Sequence, residues 1–403
     1  MGTTLQETPS GNRLHIGIFG KTNSGKSAFI NAFSGQSVSI VADVKGTTTD
    51  PVYKAMEIAP LGPCVLIDTA GFDDEGELGA MRMEKTALAA QKTELALIVF
   101  ASEDMEKELE WFRYFQEKKT PVIPVVSKSD LRSDEENQEF AEKLREQTKE
   151  KVCIVSAKTG AGIAELKEWM IRMVPEGFGG RTITGDLISE GEVVLLVMPQ
   201  DIQAPKGRLI LPQVQTMREL LDKKCIVLST TTDKLVEALD QLKNPPKLII
   251  TDSQVFRSVD EVCPEKSKLT SFSVLMAGLK GDIRYLSQSA AAIESLQENS
   301  RVLIAECCTH APMEEDIGRV KIPDMLRKKV GQALQIDVVA GTDFPSNASD
   351  YDLIIQCGGC MFNRRYIMSR IEAAKAAGVP MSNYGIVIAY LSDILEHVTL
   401  PKE

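Results

Sequence analysis

Two groups of residues in this 403-residue chain have the types and spacing that chemistry requires. Near the start, Gly20-Lys-Thr-Asn23-Ser24-Gly25-Lys26-Ser27 is a complete G-x-x-x-x-G-K-S loop. Such a loop folds around phosphate groups. The run Gly20, Asn23, Ser24, Gly25, Lys26, Ser27 and Ala28 supplies backbone N–H groups and a helix N-terminus, Lys26 reaches the β/γ oxygens, and Ser27 holds Mg²⁺. Near the end, Cys307-Cys308-Thr309-His310 and Cys357-Gly358-Gly359-Cys360 gather four of the eight cysteines and one of the three histidines. Thiols so grouped bind soft metals or exchange disulfides.

The first group continues in the order a guanine-nucleotide switch needs. Gly46-Thr47-Thr48-Thr-Asp50 lies in a polar loop, and Thr48, with Thr47 beside it, is the expected switch threonine on Mg²⁺. Val65-Leu-Ile-Asp68-Thr-Ala-Gly71 is a strand ending in an aspartate for Mg²⁺, followed by a glycine hinge. Lys26, Thr48, Asp68 and Gly71 are thus the residues expected to act on the phosphates. Ser127-Lys128-Ser129-Asp130 follows the next strand, and Asp130 can accept from the N1 and N2 protons that guanine has and adenine lacks. Ser156-Ala157-Lys158 packs on the base from the other side. GTP, GDP and Mg²⁺ are the implied ligands. Phe72 stands where Ras-like proteins carry the water-orienting glutamine. Hydrolysis is therefore expected to be slow or to use another device. Asn23 either supplies that device or only turns the loop. Ser127, in place of the usual asparagine, is expected to weaken purine and loop contacts.

The elements that must position these residues alternate between apolar runs and helical patterns. Strands at Leu14–Phe19, Val65–Asp68, Val122–Val126 and Val152–Val155 interleave with helices at Ser27–Phe33, Ala80–Lys92, Asp104–Glu117, Asp134–Lys149 and Ile163–Met173. That is a doubly wound, mostly parallel sheet. A middle stretch has strands at Val193–Val197, Leu209–Leu211, Cys225–Leu228 and Leu248–Thr251 and no chemistry of its own. It reads equally as a dimerisation module or a spacer. The last stretch reads as strands Phe272–Met276, Val302–Ala305, Ile336–Val339, Leu353–Ile355 and Gly385–Ala389, with a long helix over Leu279–Leu296. The expected fold class is α/β, with three consecutive α/β domains: 1–175 for nucleotide, 182–263 for assembly and 269–403 carrying the thiols.

Composition narrows the class. Apolar content of 43% and charged content of 26% describe a globular protein, and a net charge of −11 argues against nucleic acid as a partner. Eight cysteines in 403 residues are too sparse for a secreted disulfide scaffold. No run is long enough to span a bilayer and no leader is apparent, so a cytoplasmic protein with reduced thiols is expected. Cys64, Cys153, Cys225 and Cys263 are isolated and read as inert. For the grouped thiols, Cys357-x-x-Cys360 could exchange disulfides, and three thiolates with His310 could hold zinc. An iron–sulfur cluster with one replaceable ligand fits best, because Gly358 and Gly359 let backbone N–H groups approach sulfide.

The nucleotide motifs resemble the TrmE- and Era-like GTPases, whose potassium-dependent members use an asparagine at the position of Asn23. Together with Glu306-Cys-Cys308-Thr-His310, Glu315-Asp-Ile-Gly-Arg-Val-Lys-Ile-Pro323 and Gln356-Cys-Gly-Gly-Cys-Met361, the whole chain is similar to the HydF-type GTPases of [FeFe]-hydrogenase maturation. The resemblance implies a [4Fe–4S] cluster on Cys308, Cys357 and Cys360. It also implies a di-iron precursor received from two radical-SAM enzymes and delivered to apo-[FeFe]-hydrogenase, and a homodimer formed through the middle domain. The family writes His-Cys-x-x-Cys where this chain has Gln356, so His310, Cys307, Glu306 or water remain candidates for the fourth ligand. The competing function is an RNA-modification or ribosome-assembly GTPase with a zinc-stabilised tail. A third is a thiol oxidoreductase fused to the switch.

Overall fold

The computed structural model describes residues 8–34, 40–43, 51–72, 77–174, 178–199, 209–307 and 316–402. Thr47, Thr48, Cys308 and His310 lie outside them. The chain divides into two compact units, Met1–Gly179 and Gly180–Glu403.

The first unit is built on β1 (Leu14–Phe19), α1 (Lys26–Ser34), β2 (Ile40–Asp43), β3 (Val52–Ile58), β4 (Gly62–Asp68), α2 (Glu77–Lys92), β5 (Leu95–Phe100), α3 (Glu106–Glu117), β6 (Val122–Val126), α4 (Asp134–Thr148), β7 (Cys153–Ile154) and α5 (Ile163–Met173). The seven strands lie in the order β2-β3-β4-β1-β5-β6-β7, with only the β2–β3 and β3–β4 pairings antiparallel. Every residue of β1 and β5 is buried, as expected of central parallel strands covered on both faces. Loops leaving the C-terminal ends of β1, β4, β6 and β7 therefore gather on one rim, where ligands bind in such sheets.

The second unit carries two parallel sheets. The first has order β11-β10-β8-β9, from β8 (Val193–Val197), α6 (Leu211–Asp222), β9 (Ile226–Thr230), α7 (Leu235–Asp240), β10 (Leu248–Thr251), α8 (Phe256–Asp260) and β11 (Lys268–Ser271). After α9 (Phe272–Lys280) and α10 (Ile283–Gln288), the second has order β13-β12-β14-β15, from β12 (Arg301–Ala305), α11 (Ile322–Val330), β13 (Gln335–Val339), β14 (Leu353–Gln356), α12 (Arg364–Ala376), β15 (Met381–Asn383) and α13 (Tyr384–Leu391). One apolar cluster runs through both, joining Leu195, Ile249 and Leu269 to Leu303, Ile354 and Met381. Two of the three expected α/β domains thus share a core, and β11, placed by the expected boundary in the last domain, completes the sheet of the middle one.

Three expected strands are corrected. Phe272–Met276 forms the start of α9, capped by Ser271, whose hydroxyl accepts from the Val274 amide. Gly385–Ala389 lies in α13, capped by Asn383 and buried from Tyr384 through Ala389. A helix buried on all sides shows no amphipathic period, and a short apolar run alone does not separate it from a buried strand. Leu211 opens α6, where Pro212 occupies a position at the helix start that tolerates proline. The long helix expected over Leu279–Leu296 breaks at Gly281. Asp282 caps α10 by accepting from the Tyr285 amide, and a 3₁₀ turn over Ser289–Ser295 follows.

Candidate nucleotide site and thiol site

In the first unit the phosphate loop joins β1 to α1. Asn23 and Gly25 take left-handed φ values of 59° and 98°, conformations that suit Asn and Gly. The Lys26 ammonium donates to the carbonyls of Gly20 at 2.8 Å and Lys21 at 2.7 Å. At the mouth, the Ser27 hydroxyl donates to Asp68 Oδ2 at 2.7 Å, while Asp68 Oδ1 is buried without a hydrogen-bond partner. Burial pushes the Asp68 carboxyl up, opposed by the Ser27 hydroxyl and then by the Lys26 charge. A carboxylate oxygen buried without a donor, beside a hydroxyl, suits a hard cation, and Ser27 and Asp68 are the residues that would hold Mg²⁺. Gly71 crosses the loop so closely that a Cβ would lie 2.4 Å from the Thr22 backbone nitrogen. Phe72 turns away into an aromatic cluster, its ring 6.2 Å from that of Trp111.

The base-recognition residues meet on the same rim. Ser156, fully buried, donates its hydroxyl to Asp130 Oδ1 at 2.6 Å and holds that carboxyl below the usual carboxylate range. Lys128 takes φ 54° and lies over Gly25, with its Cε 3.9 Å from where a Gly25 Cβ would sit. Ala157 and Lys158 occupy the turn closed by Gly160 N–H donating to Ser156 O at 2.9 Å. Ser127 makes a loop contact of its own. Its hydroxyl donates to Ser24 O in the phosphate loop at 2.7 Å and reaches Phe100 O at 3.3 Å, so the tie between the two loops is made by serine.

In the second unit β12 and β14 pair in parallel and deliver Cys307 and Cys357 to one sheet end. The Cys307 amide donates to Cys357 Sγ at 3.1 Å. Gln356 Nε2 donates to Cys307 Sγ at 2.8 Å and stands 3.7 Å from Cys357 Sγ. Arg370, 2% exposed and ringed by Phe344, Phe362 and Tyr366, directs Nη1 to Gln356 Oε1 at 2.9 Å and to Cys307 Sγ at 3.7 Å. The bond with the Cys307 thiol brings the Cys357 thiol down to about 7. Burial opposes it, and the Gly359 and Cys307 amides and the Arg370 charge assist. Cys64, Cys153 and Cys263, by contrast, are pushed up by burial, to about 12 for Cys64 and about 11 for the other two.

N–H groups aimed at sulfur, together with a nearby cation, favour thiolates that carry metal. The thiols of this rim therefore suit an iron–sulfur group, with Cys357 and Cys360 as candidate holders alongside Cys308. Among the described residues no three His, Cys, Asp or Glu side chains are arranged to hold an ion. Glu306, beside Cys307, accepts from Arg319 Nε at 3.2 Å and Nη2 at 3.1 Å, and Tyr384 OH lies 3.5 Å away. Sequence reading missed Arg370 and Lys280. Arg370 had left a signal, since Tyr366, Ile367, Arg370, Ile371 and Ala374 form one buried stripe in which an arginine is out of place.

Fold and phosphate rim together define a P-loop GTPase, and a family model described as a 50S ribosome-binding GTPase matches residues 15–128. Models for the hydrogen maturase F dimerization domain, over residues 183–281, and tetramerization domain, over residues 284–401, match more than half of the chain between them. The chain belongs to the HydF-type hydrogenase maturation GTPases. Curated relatives cover the nucleotide unit. GTPase Der of Wolinella succinogenes is 34% identical over 195 residues, 45% of this chain and 40% of the relative. The tRNA modification GTPase MnmE of Endomicrobium trichonymphae is 30% identical over 166 residues, 40% of this chain and 35% of the relative. The chain thus spans well under half the length of these relatives. Among solved structures, the G domain of the T. maritima FeoB iron transporter is 21% identical, with a TM-score of 0.31, over 40% of this chain and 99% of that one. Among the described residues no helix is long and apolar enough to cross a membrane.

Proposed function

We propose that this GTPase is a scaffold and carrier that binds a [4Fe–4S] cluster through Cys308, Cys357 and Cys360 and uses it to receive a di-iron precursor for [FeFe]-hydrogenase. The observation that carries the reading is the concentration of sulfur-directed donors on Cys307 and Cys357: the Cys307 amide, the Gln356 amide and the Arg370 guanidinium. An inert buried cysteine needs none of them. The cluster would supply an iron with an exchangeable position at which the precursor docks. His310, Cys307, Glu306 and water are candidates for that position. Two radical-SAM enzymes and apo-hydrogenase are the proposed partners, GTP hydrolysis gates their exchange, and the middle domain makes a homodimer. The chain works in the cytoplasm, in the domain order 1–175, 182–263 and 269–403.

Anaerobic reconstitution with iron and sulfide tests the reading. About four irons per chain, lost in Cys308→Ser with GTP hydrolysis intact, is the expected outcome. Stoichiometric zinc without iron would instead support the zinc-tailed RNA-modification alternative. We further propose that Thr48 joins Ser27 and Asp68 on Mg²⁺ and that Asn23 seats K⁺. Hydrolysis is then faster in K⁺ than in Na⁺, and Asn23→Ala removes the difference. Equal wild-type rates in the two salts overturn the cation role.

A further inference from the structure

Lys280, the last residue of α9, ends an apolar helix and is only 2% exposed. An ammonium removed from water costs several kcal/mol unless acceptors replace its hydration. Lys280 finds them in one place. Its Nζ donates to Gly359 O at 3.1 Å, Cys360 O at 3.2 Å and Phe362 O at 2.6 Å, three carbonyls of the turn that carries the second thiol pair. Arg364, just beyond that turn, reaches back to α9 and donates to Leu279 O at 3.3 Å and Gly281 O at 2.7 Å. Helix end and thiol turn are thus clasped in both directions.

The clasp fixes the turn. The Gly359 and Cys360 carbonyls that Lys280 holds anchor the two peptides after Gly359, and the Gly359 amide, on the peptide just before them, is among the groups that bond Cys357. Gly359 adopts φ +65° to do so, and a Cβ there would meet Ile367 Cδ1 at 2.8 Å and approach Cys307 Sγ to 3.8 Å. Gly358 rides on the same helix, where a Cβ would stand 3.7 Å from Met276 Cβ. We propose that Lys280 is the positioning residue of the Cys357–Cys360 turn: it orients the N–H groups toward sulfur and places a fixed positive charge beneath whatever anionic group the thiols hold. The charge role rests on the iron–sulfur reading above, whereas the orienting role does not.

The test uses the full chain first without iron. Thiol alkylation, resolved by peptide mass spectrometry, should slow several-fold at Cys357 and Cys360 in Lys280→Met, because their thiolates lose N–H support and a nearby positive charge, with Cys225 and Cys263 unchanged as controls, and Lys280→Arg should restore much of the rate. If Lys280→Met exposes Cys225 and Cys263 as well, Lys280→Gln, which keeps donors, takes its place with the same selective expectation. Unchanged alkylation of Cys357 and Cys360 in a folded variant overturns the proposal, as does Lys280→Arg behaving like Lys280→Met. After reconstitution, chelators should strip iron about 10- to 100-fold faster from Lys280→Met, the usual scale for a residue supporting metal ligands. Its reduction potential should move negative and return in Lys280→Arg. A wild-type chain that takes up no iron removes the cluster reading and leaves the alkylation result to decide the role of Lys280.

Discussion

Replacing Arg370 by methionine should destabilise the second unit selectively. The side chain is buried, and its guanidinium serves two acceptors that no other described group satisfies in the same way: Gln356 Oε1 at 2.9 Å and Gly341 O at 2.5 Å. Leaving each buried acceptor unpaired costs about 1–3 kcal/mol. Methionine retains contact with the rings of Phe344, Phe362 and Tyr366, and removal of a buried charge offsets part of the loss. The net expectation is about 2–4 kcal/mol, which for a unit of this size lowers its melting temperature by roughly 5–15 °C. Calorimetry can read it, because added GDP and Mg²⁺ raise only the transition of the nucleotide unit and so identify the other. Gln356→Met breaks the same network, so the double variant should cost less than the sum of the single ones. A loss below about 1 kcal/mol for Arg370→Met, or strict additivity with Gln356→Met, would refute the network.

Gly71→Ala must widen a separation of 2.4 Å from the Thr22 nitrogen to the 3.0 Å that real Cβ contacts require, which a side-chain rotation cannot do. Displacing the phosphate loop on that scale should slow hydrolysis by about 10²-fold while GDP still binds, as single-turnover assays would show. Ser127→Ala removes the bond to Ser24 O and should weaken GDP binding by about 2- to 10-fold in a fluorescent-nucleotide titration. Ser156→Ala removes the largest influence lowering the Asp130 carboxyl. Because ionised Asp130 accepts from guanine, affinity falls as pH drops through its pKa, and the variant should show that fall at higher pH than wild type.

How legible each site was depended on where its information lies in the chain. Gly20–Ser27, Asp68 and Asp130 stand at strand ends whose apolar runs are local, so spacing alone brought them to one rim. The strand character assigned to Phe272–Met276 and Gly385–Ala389 failed because both segments are buried all round, and only Ser271 and Asn383, acting as caps, mark them as helices. Lys280 was hidden for a different reason. A lysine in the last turn of a helix ordinarily faces water and complements the dipole, and its true partners lie about eighty residues away in sequence. The Ser127 contact was hidden too, because a missing amide is visible in sequence, whereas a hydroxyl at the right distance from Ser24 O is not.

If the thiol site holds the proposed cluster, the same contacts bear on which group fills its exchangeable position. Glu306 receives two N–H groups from Arg319, and freeing its carboxylate would leave that partly buried guanidinium without its ion partner. Its carboxylate is therefore committed to the Arg319 pair, which weighs against Glu306 as a ligand that comes and goes. Gln356 points the same way. Its amide donates to Cys307 and is itself held by Arg370. A donor so engaged orients a neighbouring sulfur and does not compete for iron. Cys307 in turn receives the Gln356 amide and faces the Arg370 guanidinium, the donors that a sulfur ligand at that position would use.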